Sequence, residues 1–403
     1  GKYFGLCEVN DCWYHYVTGS LAKKAAVDGF NWLYEGCILC ANKIANNQIS
    51  SEYIIHFMNR IKISMSNDIT PIIIFDGCDL PAKRSQNEKL HNYRSKQLEI
   101  AKNFENRGLF DKANKYYQKA IEITPSVLCP LFDKLRETNI DFIVAPYDAD
   151  AQLAYLASNK AVDMAIIKDS NLIAYQRSLT LFDLDCNGNC KSLSLSDVMK
   201  LHLFNQMDQN MMIENCVLAG CDYLPPIPRM GIITSIKRLL IQKTVLVVIS
   251  ELRAENDCEI PDNYEQDFQN ACSIFTQHRV FDHHSKSVVG IYEECILDIA
   301  GPYISNEDAI NIAIGRMNPK TKQFYDTENN YKLQKSVDIS NINDEIEGGF
   351  KKCNDSNVPD SFFTFANLKD LKYNDSTKFI SFLKVKAISE GFQIVLWLKK
   401  TGE

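Results

Sequence analysis

Short apolar runs that end at or near an acidic residue, each followed by helically spaced apolar positions, recur along this chain. Lys23-Lys24-Ala25-Ala26-Val27 reads as a first strand that ends at Asp28 and is followed by a helical pattern over 30–47, and residues 71–75 are wholly apolar and stop at Asp76. Residues 142–144 lead to Asp148 and Asp150, and residues 164–167 lead to Asp169 and Asn171. Compact apolar runs alternating with helical spacing predict buried parallel strands joined by helical crossovers, an α/β fold with a mostly parallel central sheet. Ser51 is placed to cap a helix over 52–63, and Thr124 begins another to about 138. Residues 179–184 read as a strand entering an Asn187-Gly188 hairpin turn. Helical spacing returns at 195–204 and 209–219, before the loop Gly220-Cys221-Asp222-Tyr223-Leu224. A stiff Pro225-Pro226-Ile227-Pro228 connector follows, then helices through Phe275, an extended Arg279-Val280-Phe281, and a helix over 307–314. Residues 326–360 are rich in Asn, Asp, Ser and Lys and read as a loop-like linker. Residues 361–403 regain apolar clusters that suit either packing on the body or a partner, so the role of this segment stays open.

Composition narrows the setting. With 403 residues, 45% of them hydrophobic, the chain has core enough for one large α/β domain or two smaller ones. No apolar run of about 18 residues suggests a membrane span, and the first residues do not read as a secretory signal. Fourteen cysteines without such a signal imply reduced thiols in a cytosolic or nuclear setting. Cys37 and Cys40 form a CxxC inside an apolar helical pattern with no second pair, which reads as two buried small hydrophobes. His283 and His284 sit in a polar loop without further ligands at metal spacing. The net charge of -7 does not advertise a polyanion ligand, so nucleic-acid contact must come from local patches. One exists: residues 81–120 carry ten Lys and Arg against four Asp and Glu, in a helical hairpin turning at Gly108. Such an arm suits a phosphate backbone, or it is simply a solvated face.

In parallel sheets, ligands bind beyond the carboxyl ends of the strands. Asp28, Asp76, Asp148, Asp150, Asp169 and Asp222 gather there, with Asn171 as a neutral oxygen donor. Carboxylates brought together repel unless a cation sits between them, and all-oxygen sets suit Mg²⁺ or Mn²⁺. A plainer reading is that these residues cap helix N-termini. Two ions in such a set activate water and stabilise the leaving oxygen in phosphodiester hydrolysis. The sequence offers no Ser-His-Asp arrangement, Walker loop or GxGxxG. The Gly231 turn opening a helix that carries Lys237 and Arg238 exposes backbone N–H groups suited to phosphate.

The segments AVDGFNW, IIIFDGCDLPAKR, VAPYDADAQLAYL, IIKDSNLIAY and LAGCDYL resemble the core motifs of the exonuclease 1 / flap endonuclease family of structure-specific 5′ nucleases. The FDGCxLP run and the RVFD run at Phe281 place the resemblance nearest exonuclease 1, over residues 1–325. It implies a PIN-like 5′-nuclease fold with a helical arch at 81–120 and a helix–two-turn–helix element at 220–245. It implies two Mg²⁺, with Mn²⁺ as a substitute, and K⁺ at the duplex-gripping element. By position, Asp28, Asp76, Asp148 and Asp150 would serve the first metal, and Asp150, Asp169, Asn171 and Asp222 the second. Lys83, Asp150 and Asp169 would be catalytic, with Lys83 on the scissile phosphate. Phe30 and Tyr34 would stack on the DNA end, while Lys83, Arg84, Arg94, Lys96, Gly231 and Lys237 would hold the backbone. The implied activity is a 5′→3′ exonuclease with flap endonuclease capability, acting on DNA with 5′ ends, nicks or flaps. The implied setting is nuclear DNA repair, replication and recombination, with mismatch-repair proteins as partners and no membrane.

This chain departs from the pattern at five positions. Asp148 stands for a Glu, Asn171 for an Asp, Lys168 for an acid, Leu90 for an arch arginine with Arg94 one turn away, and Arg229 for a Gly. Three readings therefore stay open: an active nuclease, a weakened or inactive DNA-binding repair scaffold, and an RNA-directed nuclease of the same architecture.

Overall fold

The computed structural model describes residues 7–9, 23–48, 50–168, 172, 174–175, 179–182, 190–193, 204–255, 259–292, 298–325, 379–388 and 391–400. Its strands are β1 (Cys7–Val9), β2 (Lys23–Asp28), β3 (Ile69–Phe75), β4 (Phe142–Val144), β5 (Met164–Ile167), β6 (Leu179–Phe182), β7 (Cys190–Leu193), β8 (Arg279–Asp282), β9 (Ser287–Gly290), β10 (Phe379–Ile388) and β11 (Gly391–Lys400). The helices that matter here are α1 (Gly29–Leu39), α2 (Ala41–Ala45), α3 (Glu52–Ser66), α4 (Arg84–Asn106), α5 (Phe110–Lys119), α6 (Pro125–Glu137), α7 (Ala149–Ser158), α8 (Gln209–Leu218), α9 (Ile232–Gln242), α10 (Val245–Glu255), α11 (Tyr264–Gln277) and α12 (Asn306–Ala313).

The central sheet runs in the order β1-β7-β6-β5-β2-β3-β4. The five strands from β2 to β6 pair in parallel, and β7 and β1 add an antiparallel edge. This is the expected mostly parallel α/β sheet. The chain passes from β2 to β3 and β4 on one side, then crosses back to lay β5 and β6 on the other. The reversal makes a topological switch point beside β2, where the strand ends open a crevice.

Helices cover both faces, because strands buried on both sides need apolar cover on each. One core packs α1, α3 and α6 onto the sheet around Phe57, Phe75 and Phe132. The other packs α7 through α11 around Leu153, Ile167 and Val217. Between β3 and β4, α4 and α5 form the charged hairpin, turning at Gly108 with φ 71°. Strands β8 and β9 make a hairpin whose turn holds His283 and His284, and β10 and β11 pair antiparallel.

Some boundaries differ from the sequence pattern. The helix expected over 30–47 breaks at Cys40, whose φ of -122° and ψ of 35° leave the helical region, and α2 follows as a short separate turn. Cys37 and Cys40 are both buried. Ser51 precedes α3 but makes no side-chain capping bond; the neighbouring Ser50 hydroxyl accepts from the Glu52 amide at 3.4 Å instead. The Asn187-Gly188 turn, most of the helix at 195–204, the linker 326–360 and residues 361–378 lie outside the described residues.

Candidate functional site

The acids at the strand ends are delivered by the parallel register. Asp28 ends β2 opposite Ile74 of β3, two residues before Asp76. Gly77 lets the turn after Asp76 press onto the 145–147 segment: its amide donates to the Tyr147 carbonyl at 2.6 Å, and a Cβ there would lie 1.9 Å from the Ala145 carbonyl oxygen. That close approach brings Asp76 Oδ1 within 2.7 Å of the Ala149 amide, at the first residue of α7. Asp148 and Asp150 flank that residue and are both buried.

Capping and clustering coexist. Asp28 caps α1, accepting from the amides of Phe30 at 2.9 Å and Asn31 at 3.4 Å. Asp148 caps α7, accepting from the Asp150 amide at 3.3 Å. The capping reading accounts for one oxygen of each and leaves the second for other work. In Asp28 that oxygen takes the Asn31 side-chain amide at 2.7 Å.

In Asp148 the second oxygen meets a cation. Lys83 Nζ stands 2.5 Å from Asp148 Oδ2 and 3.2 Å from Asp222 Oδ2, so one ammonium bridges the acid that caps α7 and an acid of the 220–224 loop. Gln86, one turn into α4, donates to Asp222 Oδ1 at 3.2 Å. Burial alone would raise the Asp148 pKa, but Lys83 outweighs it and holds the carboxyl down at about 2. Burial would likewise lower the Lys83 pKa, and Asp148, Asp222 and Asp150 reverse that and raise it well above the usual lysine value. Asp150 therefore belongs to the same electrostatic cluster.

Behind the acids lies a buried hydrogen-bonded row. Tyr223 donates to Asp148 Oδ2 at 3.2 Å, the Tyr223 and Tyr175 hydroxyls meet at 3.1 Å, and Tyr175 reaches His278 Nδ1 at 3.3 Å. Sequence reasoning missed this row. The position of Tyr223 beside Asp222 was the available signal.

Asp169 and Asn171, expected at the second metal, lie outside the described residues. Among the described residues, no three His, Cys, Asp or Glu side chains stand as a group able to hold a metal ion. The donor chemistry nevertheless fits a hard cation. Asp28, Asp76, Asp148, Asp150 and Asp222 offer only oxygens, and the Lys83 ammonium already stands in for a positive ion between two of them.

The expected nucleic-acid residues are distributed over three elements. Phe30 is half-buried, edge-on to Phe75 with ring centroids 5.8 Å apart. Tyr34 donates to the Ile121 carbonyl at 3.4 Å, and burial raises its pKa against the opposing pull of Arg94 from α4. Arg84 and Lys96 are exposed on α4, and Lys237 is exposed on α9. Arg238 is committed elsewhere, forked onto Glu255 at 3.0 and 2.8 Å. Gly231 caps α9, and a Cβ there would meet nothing within 4 Å, so the helix N-terminus is open to an approaching group.

The chain matches the XPG N-terminal domain over residues 16–97 and the XPG I-region over residues 139–222. Exonuclease 1 of Oryza sativa subsp. japonica is 32% identical over 369 residues, covering 88% of this chain and 44% of that protein. Exonuclease 1 of Arabidopsis thaliana is 32% identical over 314 residues, covering 75% of this chain and 42% of that protein. The chain thus spans less than half the length of these relatives. Among solved structures, a catalytic core of Rad2 in complex with DNA substrate is 18% identical, with a TM-score of 0.49 over 83% of this chain and 98% of that one.

Proposed function

The chain belongs to the exonuclease 1/XPG family, and we propose that it is a Mg²⁺-dependent 5′→3′ exodeoxyribonuclease with 5′-flap endonuclease capability. The observation that carries the reading is the Asp148–Lys83–Asp222 bridge at the switch point of a parallel sheet, at the root of a basic helical hairpin. Asp28, Asp76, Asp148 and Asp150 would hold one divalent ion, and Asp150, Asp169, Asn171 and Asp222 another. When bound, such ions supply water activation and charge neutralisation at the leaving oxygen.

The chain's own residues divide the remaining work. Lys83 is the residue placed to exchange its carboxylate partners for the scissile phosphate, since an ammonium between acids is equally suited to a phosphate oxygen. Asp76 and Asp148 are held by backbone amides and Tyr223, which fixes their oxygens before a ligand arrives. Arg84, Arg94 and Lys96 on the arch, with Gly231 and Lys237 at α9, would contact backbone phosphates. Phe30 and Tyr34 supply aromatic surface for the DNA end. K⁺ would assist at the α9 turn. The substrates follow as duplex DNA with 5′ ends, nicks or flaps, in nuclear repair, replication or recombination alongside mismatch-repair proteins. No described helix is long and apolar enough to cross a membrane.

A second reading, a weakened nuclease that acts as a DNA-binding repair scaffold, is favoured by Asn171, Leu90 and Arg229 together, each of which departs from a different part of the family pattern. One assay separates the two. Cleavage of a labelled 5′-flap and a recessed duplex, in Mg²⁺ and in Mn²⁺, is expected for the nuclease. No product at high protein concentration, with Asn171→Asp equally silent, would overturn the DNA nuclease and favour the scaffold.

A further inference from the structure

Glu35 is buried in the middle of α1, 7% exposed, among residues that are otherwise apolar. Its Oε2 accepts from Arg60 Nε at 3.1 Å and Nη2 at 2.7 Å, and lies 3.4 Å from His56 Nε2, both residues on α3. Its Oε1 pairs with the Lys168 ammonium. Burial alone would raise the Glu35 pKa, but His56, Arg60 and Lys168 together bring it far below the carboxylate range.

Arg60, forked onto the carboxylate, already neutralises Glu35, so Lys168 is surplus for charge. Buried ion pairs add little net stability, because desolvation offsets the attraction, and their attested use is to fix geometry. The geometry in question is informative. Lys168 directly follows β5 and is peptide-bonded to Asp169, while α1 is the helix that Asp28 caps. One carboxylate thus joins the helix behind Asp28 to the strand exit that leads to Asp169.

We infer that the Glu35–Lys168 pair is a positioning tether that sets the exit of β5 against α1, one residue along the chain from Asp169. The inference rests on the proposed metal-dependent nuclease. It gives Lys168, which stands where the resembling motif carries an acid, a role other than charge at the metal.

The sign of the effect separates a tether from simple charge. Removing a nearby cation would tighten divalent binding through space. Losing a positioning group would weaken it, and outer partners of metal ligands commonly matter by about tenfold or more. Lys168→Met leaves Glu35 paired with Arg60 and His56, so the fold is retained, which thermal unfolding checks. Mn²⁺ binding to the full chain, read by electron paramagnetic resonance, is expected to weaken about tenfold, with kcat on a 5′-flap duplex falling alongside while the KM for DNA stays within about twofold. Lys168→Arg, which keeps a cation of similar reach, is expected to restore both to within about threefold.

Unchanged or tighter Mn²⁺ binding in Lys168→Met overturns the tether, and so does a failure of Lys168→Arg to rescue. If the wild-type chain takes up no Mn²⁺, the nuclease reading fails and carries the tether with it. That outcome is distinct from a wild type that binds Mn²⁺ beside a variant that binds it equally well.

Discussion

Lys83 Nζ lies 2.5 Å from Asp148 Oδ2, in a site where the lysine side chain is 20% exposed and the aspartate 8%. A pair this enclosed is asymmetric: keeping it contributes little, whereas deleting one partner strands the other and costs about 3 kcal/mol. Asp222 sits 3.2 Å from the same ammonium and would also lose the cation that links it to Asp148.

Lys83→Met is therefore expected to be destabilised in metal-free buffer and to recover more stability from Mg²⁺ than the wild type does. The ion would replace the missing cation, and a ligand that binds only the folded state raises its stability by mass action. Calorimetric melts with and without Mg²⁺ measure both increments. Flap cleavage by the same variant is expected to collapse, since the proposed phosphate contact is gone. Equal Mg²⁺ increments in the two proteins would show that Lys83 does not hold the place of a cation.

Arg229 has φ 65°, the left-handed conformation in which the resembling motif carries Gly. A side chain there costs about 1–2 kcal/mol, while glycine returns about 0.5–1 kcal/mol of that through its freer unfolded state. Arg229→Gly is expected to stabilise the chain by about 0.5 kcal/mol in denaturant unfolding. A destabilised variant would mean that the Arg229 side chain contributes packing or charge that outweighs the strain.

Gly231, two residues on, behaves oppositely. Its φ of -89° is open to any residue, and a Cβ would touch nothing. Gly231→Ala is expected to leave stability within about 0.5 kcal/mol of wild type, because the loss of unfolded-chain freedom is offset by the poorer N-cap preference of Ala. A methyl group at the open N-terminus of α9 would nevertheless stand where a phosphate must approach the backbone amides. Weaker duplex binding in a fluorescence anisotropy titration, beside an undiminished melting temperature, is the expected signature. Unaltered binding would remove α9 from the DNA interface.

The strands and the acids at their ends were legible because both follow from local pattern: an apolar run of strand length, a stop, then helical spacing. Asp28, Asp76, Asp148 and Asp150 fall at the strand ends where that pattern puts them. What the pattern could not carry was pairing over long sequence separations. Glu35 with Lys168, and Tyr175 with Tyr223 and His278, come from segments whose meeting depends on the crossover from β4 back to β5. A charged residue at an apolar helical position, as Glu35 is, signals a buried partner without naming it. The break at Cys40 was equally hidden, because apolar spacing continues across it while the backbone does not.

His278 is fully enclosed, and its Nε2 has no hydrogen-bond partner among the described residues. Tyr223 spends its proton on Asp148, so a consistent row has Tyr175 donating to Tyr223 and His278 Nδ1–H donating to Tyr175, with a bare lone pair at Nε2. Protonating that atom would bury an uncompensated charge. Burial, assisted by Lys83 and opposed by Asp148, accordingly lowers the His278 pKa to about 4 from 6.5. A histidine depressed in the folded state stays neutral there while the unfolded chain takes up protons. Its contribution is therefore complete above pH 6.5 and is lost as the pH falls toward 4. The full loss is about 3 kcal/mol, of which about 2 kcal/mol is gone by roughly pH 5. Denaturant unfolding across this range is expected to show wild-type stability falling with acidity, and His278→Gln, which cannot titrate, is expected to flatten that slope. Parallel slopes in the two proteins would place the acid sensitivity in other groups.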